Sequence, residues 1–135
     1  MTLEESIKHH EGLRLRPYRC TSQKTTIGYG RNIEDVGITK TEALFLLNTD
    51  IENCRREAEM SFWFYENLNQ DRKDVLCEML FNLGLPRLLQ FTKLITALED
   101  QEWDTAAIEM LDSKWSSQVG QRAVTLANKM KKLDL

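Results

Sequence analysis

Apolar positions along this chain recur mostly at spacings of three and four, and one short segment alternates with a period of two. Thr2 with Glu5 makes a capping-box pattern ahead of Leu3 and Ile7, and Gly12 is a natural stop, so a first helix is expected to end near Glu11. The alternating segment comes next. Leu13-Arg14-Leu15-Arg16-Pro17-Tyr18, a turn-like Thr21-Ser22-Gln23-Lys24 and the β-rich, glycine-containing run Thr25 to Gly30 together predict a small hairpin over residues 13–30. Pro17 cannot donate to a ladder and assigns its strand to an edge.

The rest reads as helix. A second capping box, Thr39 with Glu42, opens a long helix from about Lys40 to Met60, whose stripe is Ala43, Leu47, Ile51, Cys54 and Ala58. Val75, Leu76, Met79, Leu80 and Leu83 mark another that stops at Gly84, with Cys77 beside its stripe. Amphipathic segments follow at Thr92 to Glu99, Thr105 to Leu111 and Val119 to Lys132, the last with Ala123, Leu126, Ala127 and Met130 on one side. The expected fold class is α+β, mainly helical, with a hairpin lobe beside a helical lobe and a ligand cleft between them.

Composition narrows the class. With 135 residues, 41% of them hydrophobic, the chain is of single-domain size and can bury a real core, which excludes disordered and collagen-like classes. Cys20, Cys54 and Cys77 are odd in number and widely spaced, so neither a disulfide framework nor a zinc knuckle is expected, and a reducing compartment is. Cys54 and Cys77 read as core or near-core fillers. The N-terminus is charged and lacks an apolar signal region, and no apolar run approaches the roughly 20 residues that span a bilayer. No export signal and no stable membrane insertion are therefore expected. A net charge of −3 argues against bulk attraction to nucleic acid. Between Leu13 and Arg31, however, stand Arg14, Arg16, Arg19, Lys24 and Arg31 with no acid among them. That is either a local site for an anionic ligand or a charged edge that discourages strand pairing.

Candidate chemistry gathers on the same stretch. A carboxylate at the C-terminus of a helix faces the negative end of the macrodipole, so the pKa of Glu11 is expected to rise, as a general acid requires. A five-residue loop, Thr21 to Thr25, would set Thr26 directly opposite Cys20. Arg19 or Lys24 would draw the Cys20 thiol toward the thiolate, which could orient or deprotonate a water. His9 and His10 suggest a Cys-His hydrolase, but no third orienting residue or oxyanion element accompanies them. A zinc site from these three residues is disfavoured because adjacent helical histidines point in different directions. Taken singly, Glu11 is an exposed helix end, Thr26 a strand threonine and Cys20 an incidental thiol; only their joint spacing argues otherwise.

That spacing, Glu, eight residues, Asp or Cys, five residues, Thr, is met by Glu11, Cys20 and Thr26 and resembles the catalytic signature of the phage-type lysozymes, glycoside hydrolase family 24. The surrounding words EGLRLRPY and TIGYG also look familial. Phe81 to Gly84 (FNLG), Phe91-Thr92, Glu102 to Ala107 (EWDTAA), the SKW ending at Trp115, and Gln118 to Ala123 (QVGQRA) are similar, in order, to the C-terminal lobe of T-even phage lysozymes.

The resemblance implies a lysozyme-like two-lobed fold in one domain, residues 1–135: a hairpin lobe at about 12–38, a linking helix at about 40–60, and a helical lobe at about 61–135 that includes helix 3–11. It implies a muramidase that cleaves the β-1,4 bond between N-acetylmuramic acid and N-acetylglucosamine and lyses bacteria. Glu11 would protonate the leaving oxygen. Cys20 would stand where many relatives carry the second catalytic carboxylate, with Thr26 beside it; water positioning and covalent attack by the thiolate are both compatible with a thiol there. Tyr29, Phe81, Asn82 and Arg122 are the expected substrate-binding residues, interior packing being the rival role for Phe81. Arg122 falls where an arginine pairs with the catalytic glutamate in T-even relatives, which would lower the pKa of Glu11 and oppose the dipole.

No cofactor or metal is implied. The expected partner is bacterial peptidoglycan, with no nucleic acid, and the protein is expected to be a monomer held in the host cytoplasm until a holin-type membrane lesion admits it to the wall. A lytic transglycosylase and an inactive peptidoglycan-binding relative are the alternatives. The chain departs from longer relatives in lacking an insertion between TIGYGRN and GITKTEA and in carrying Arg31 where some have histidine.

Overall fold

The computed structural model describes residues 1–132. Two compact units divide the chain, Met1–Leu46 and Leu47 onward, and the boundary falls inside a helix.

In the first unit, α1 (Leu3–Glu11) opens on the capping box: the Thr2 hydroxyl accepts from Glu5 N–H at 3.1 Å, and Glu5 Oε2 accepts from Thr2 N–H at 2.9 Å. Gly12, at φ 72, closes it by donating to Lys8 O, which makes Glu11 the last helical residue. Strands β1 (Arg14–Arg19), β2 (Thr25–Gly28) and β3 (Arg31–Asn32) form an antiparallel sheet in that order. β1 is an edge strand, as Pro17 requires, and its pairing is irregular between Arg14 and Tyr18, where the proline sits.

The hairpin loop is shorter than the five residues that would set Thr26 opposite Cys20. Thr26 pairs with Tyr18 and Thr25 with Arg19, while Cys20 N–H donates to Lys24 O at 3.0 Å, leaving only Thr21, Ser22 and Gln23 in the loop. Gln23 takes φ 62, the left-handed position that a three-residue hairpin loop requires. Thr26 is thus diagonal to Cys20 on the same face of the sheet, not opposite it. β3 adds a third strand to the predicted pair, and the short helix α2 (Ile33–Val36) follows it.

The long helix α3 (Lys40–Ser61) starts where the second capping box places it, with Glu42 N–H donating to the Thr39 hydroxyl and Thr39 N–H to Glu42 Oε1. After a 3-10 turn at Tyr65–Asn67 come α4 (Gln70–Leu83), α5 (Leu85–Leu88), α6 (Thr92–Glu99), α7 (Trp103–Leu111), α8 (Lys114–Val119) and α9 (Gln121–Lys131). The expected helix Val119 to Lys132 is therefore two elements, because Gly120 at φ 59 ends α8 before α9 begins.

The hydrophobic core runs from Ala58 to Met130 and is built mainly by α4, α6, α7 and α9. Arg72 is buried within it for a reason. Its Nε and Nη2 donate at 2.7 Å to Met130 O and Lys132 O, carbonyls that the end of α9 leaves without helical partners, while the guanidinium lies 4.0 Å from the Trp103 ring centre. Cys54 and Cys77 pack at the margin of this core as expected. Among the described residues, no helix is long and apolar enough to cross a membrane.

Candidate active site

Glu11 ends α1 and is exposed, but its carboxylate has a defined seat. A Cβ added to Gly30 would lie 2.7 Å from Glu11 Oε2 and 2.9 Å from its carboxyl carbon, so the acid rests against the bare backbone of the turn between β2 and β3. Gly30 also stands at φ 79, which L side chains rarely adopt. One glycine serves both needs, and the Gly-Tyr-Gly spacing was its only sequence signal.

Cys20 follows β1 directly and is half-buried. Its thiol is pulled below the ordinary value, first by the Lys24 backbone N–H and then by that of Ser22, against a partial desolvation that pushes upward. The thiolate is favoured by main-chain donors folded back in the loop, and the side chains of Arg19 and Lys24 are otherwise engaged. Arg19 Nη1 donates to Gln23 O at 3.1 Å, and Lys24 Nζ sits 3.5 Å from Glu34 and 3.4 Å from Asp35. Thr26 is buried, and its hydroxyl donates to Lys24 O at 2.9 Å, which fixes the side chain beside Cys20. Thr25 donates through both N–H and hydroxyl to Glu34 Oε1, so α2 braces β2 from behind the loop.

Tyr29, in the same turn as Gly30, is partly exposed with Lys8 Nζ 5.6 Å from its ring centre. Arg31 is held by two contacts with Glu42 and donates to Gly37 O at 3.2 Å. Glu42 is in turn held below the usual carboxylate range, first by the Thr39 backbone N–H and also by the Thr39 hydroxyl and Arg31. This link between β3 and the start of α3 went unread in the sequence, although both residues were noticed separately.

The first unit therefore brings Glu11, Cys20, Thr26 and Tyr29 onto adjoining elements. The remaining expected residues belong to the second unit. Phe81 is half exposed near the end of α4. Asn82 Oδ1 accepts from Trp115 Nε1 at 2.7 Å, tying α4 to α8. Arg122 Nε donates to Glu78 Oε2 at 2.9 Å, so its carboxylate partner is on α4, whereas the resemblance pairs the corresponding arginine with the catalytic glutamate.

Comparison with known proteins agrees on one relationship. The family described as Phage lysozyme matches residues 8–132. The chain is 34% identical over 114 residues to an endolysin of Acyrthosiphon pisum secondary endosymbiont phage 1, covering 82% of this chain and 74% of that one. It is 28% identical over 152 residues to probable T4-type lysozyme 2 of Dictyostelium discoideum, covering 90% and 89%. Similarity also extends to the pre-baseplate central spike protein Gp5 of Enterobacteria phage T4, 26% identical over 151 residues, which span 91% of this chain and 26% of that protein.

Proposed function

The chain belongs to the phage lysozyme family and is a peptidoglycan hydrolase of the muramidase kind, and we propose that Glu11, Cys20 and Thr26 carry its chemistry. Glu11 delivers a proton to the glycosidic oxygen as the bond to N-acetylmuramic acid breaks. A water on the opposite face adds to the anomeric carbon and gives its proton to the Cys20 thiolate, so the configuration inverts in one displacement. The Thr26 hydroxyl helps hold the same water. Tyr29, Phe81, Asn82 and Arg122 bind substrate. Solvent then resets both groups, reprotonating Glu11 and deprotonating the thiol.

The observation behind this reading is geometric: Thr26 stands diagonal to Cys20 on one face of the sheet, with Glu11 seated against the Gly30 turn of the same unit, and main-chain donors favour the Cys20 anion. The same observation favours a second reading, direct attack by the thiolate through a covalent glycosyl-enzyme, which gives retention. We place the protein as a monomeric endolysin that waits in the host cytoplasm and reaches the wall through a separate membrane lesion.

Glu11→Gln should lower lysis of outer-membrane-permeabilised cells by at least about 100-fold, the scale of a general acid. Cys20→Asp should keep substantial activity, Cys20→Ser less and Cys20→Ala least. Proton NMR of the first-formed anomer decides between the two readings: an α product from the β-linked glycan supports water activation, and a β product establishes the covalent route. Mass spectrometry of the digest excludes a transglycosylase by hydrated reducing ends and would establish one by anhydro ends.

A further inference from the structure

The basic stretch has charge to spare once its internal partners are counted. Residues 8–31 contain Lys8, Arg14, Arg16, Arg19, Lys24 and Arg31 against the single carboxylate Glu11, in a chain whose net charge is −3. Lys24 and Arg31 are neutralised by Glu34, Asp35 and Glu42. Among the described residues, Arg14, Arg16 and Arg19 form no ion pair: Arg14 lies 4.8 Å from the Tyr18 ring centre, Arg19 donates to Gln23 O, and Arg16 has no polar partner. All three belong to β1, whose outer edge is unpaired. Interleaved with them are two exposed leucines, Leu13 at 52% and Leu15 at 80%.

We propose that this edge strand, from Leu13 to Arg19, is a docking surface for an anionic phospholipid bilayer. Guanidinium groups match phosphate oxygens in planar, two-point geometry. Exposed leucines gain nothing from a hydrated polyanion such as a glycopeptide, but they gain area at the boundary between headgroups and acyl chains. Pro17 and the irregular pairing around it spoil the edge as a template for another strand, which disfavours a protein that adds by β-pairing. The rest of the chain is net acidic and is repelled by the same surface, so the molecule approaches with this strand leading. The protein lies on the bilayer without spanning it. This inference is independent of the assignment of Glu11 and Cys20.

Sedimentation of the full chain with large vesicles of phosphatidylcholine containing 30 mol% phosphatidylglycerol tests it, with pure phosphatidylcholine vesicles alongside. Binding to the anionic vesicles should exceed binding to the neutral ones at least tenfold and should collapse in 0.5 M salt. The triple variant Arg14→Gln, Arg16→Gln, Arg19→Gln should bind about 100-fold more weakly, at roughly fivefold per cation near an anionic surface. Leu15→Ser, which keeps every charge, should bind about tenfold more weakly. Circular dichroism matching the parent confirms that both variants fold. Equal binding to the two vesicle types, no binding to either, or unchanged binding by Leu15→Ser would each overturn the proposal. The last result, joined to equally tight capture by soluble anionic wall fragments, would assign the strand to a glycopeptide.

Discussion

Gln23 holds a backbone conformation that costs an L residue about 1 kcal/mol and glycine almost nothing, at φ 62 in the loop that carries the amides around Cys20. Gln23→Gly should therefore raise stability by roughly 0.5–1 kcal/mol, read as a shift in the thermal midpoint. Loss of stability would mean that the Gln23 side chain contributes more than its backbone costs. The same loop makes Cys20 unlike the other two thiols. Burial pushes both Cys54 and Cys77 upward, whereas main-chain donors pull Cys20 down. The thiolate fraction at neutral pH should then be largest at Cys20, so iodoacetamide should label it first, with a pH midpoint lower than those of Cys54 and Cys77. Peptide mapping that finds Cys54 or Cys77 labelled first would remove the basis for an ionised Cys20. At this scale the spacing of Glu11, Cys20 and Thr26 singled out the residues proposed for the chemistry, but the source of the shift at Cys20 was not legible. Arg19 and Lys24 looked like the cause because sequence displays side-chain charge and hides the direction of a backbone N–H.

Capping residues made the elements legible where they carry their own chemistry. Thr2 with Glu5 and Thr39 with Glu42 fixed two helix starts, and Gly12 and Gly84 fixed two ends, because each satisfies identifiable orphan groups. Gly120 was passed over because the apolar spacing of Ala123, Leu126 and Ala127 runs smoothly up to it, and β3 is too short to leave a period. The second capping box also reaches further than its own helix, since Glu42 serves Thr39 and Arg31 together. The Glu42 carboxyl is held down in the folded chain, so its contribution to stability is present above the unfolded carboxylate value of about 4.3 and is lost as pH falls through the lower folded value. Thr39→Ala should cost about 1 kcal/mol at neutral pH, the usual worth of a helix N-cap. Glu42→Gln should abolish part of the parent's acid sensitivity. Urea midpoints measured from pH 7 down to pH 3 check both, and a Glu42→Gln profile parallel to the parent's would show that this carboxylate carries no linkage.

Buried apolar side chains are distributed very unevenly along the molecule. Among the described residues, the hydrophobic core lies between Ala58 and Met130, while Thr26 is the one buried residue in the unit Met1–Leu46. Local stability follows buried apolar area, so the first unit, held by capping, a three-stranded sheet and ion pairs, should open at lower free energy than α4, α7 and α9. The proposed catalytic residues Glu11, Cys20 and Thr26 lie in that unit, whereas Trp63, Trp103 and Trp115 all lie in the second. Two probes of a single sample thus watch different parts of the chain. In a urea titration, muramidase activity assayed at each denaturant concentration should fall before tryptophan fluorescence changes, and amides of β1 and β2 should exchange with solvent faster than those of α4 and α9 by native-state hydrogen exchange. Coincident activity and fluorescence curves, together with equal protection across the two units, would show that the chain unfolds as one cooperative body and that the thin packing around Thr26 is no measure of its stability.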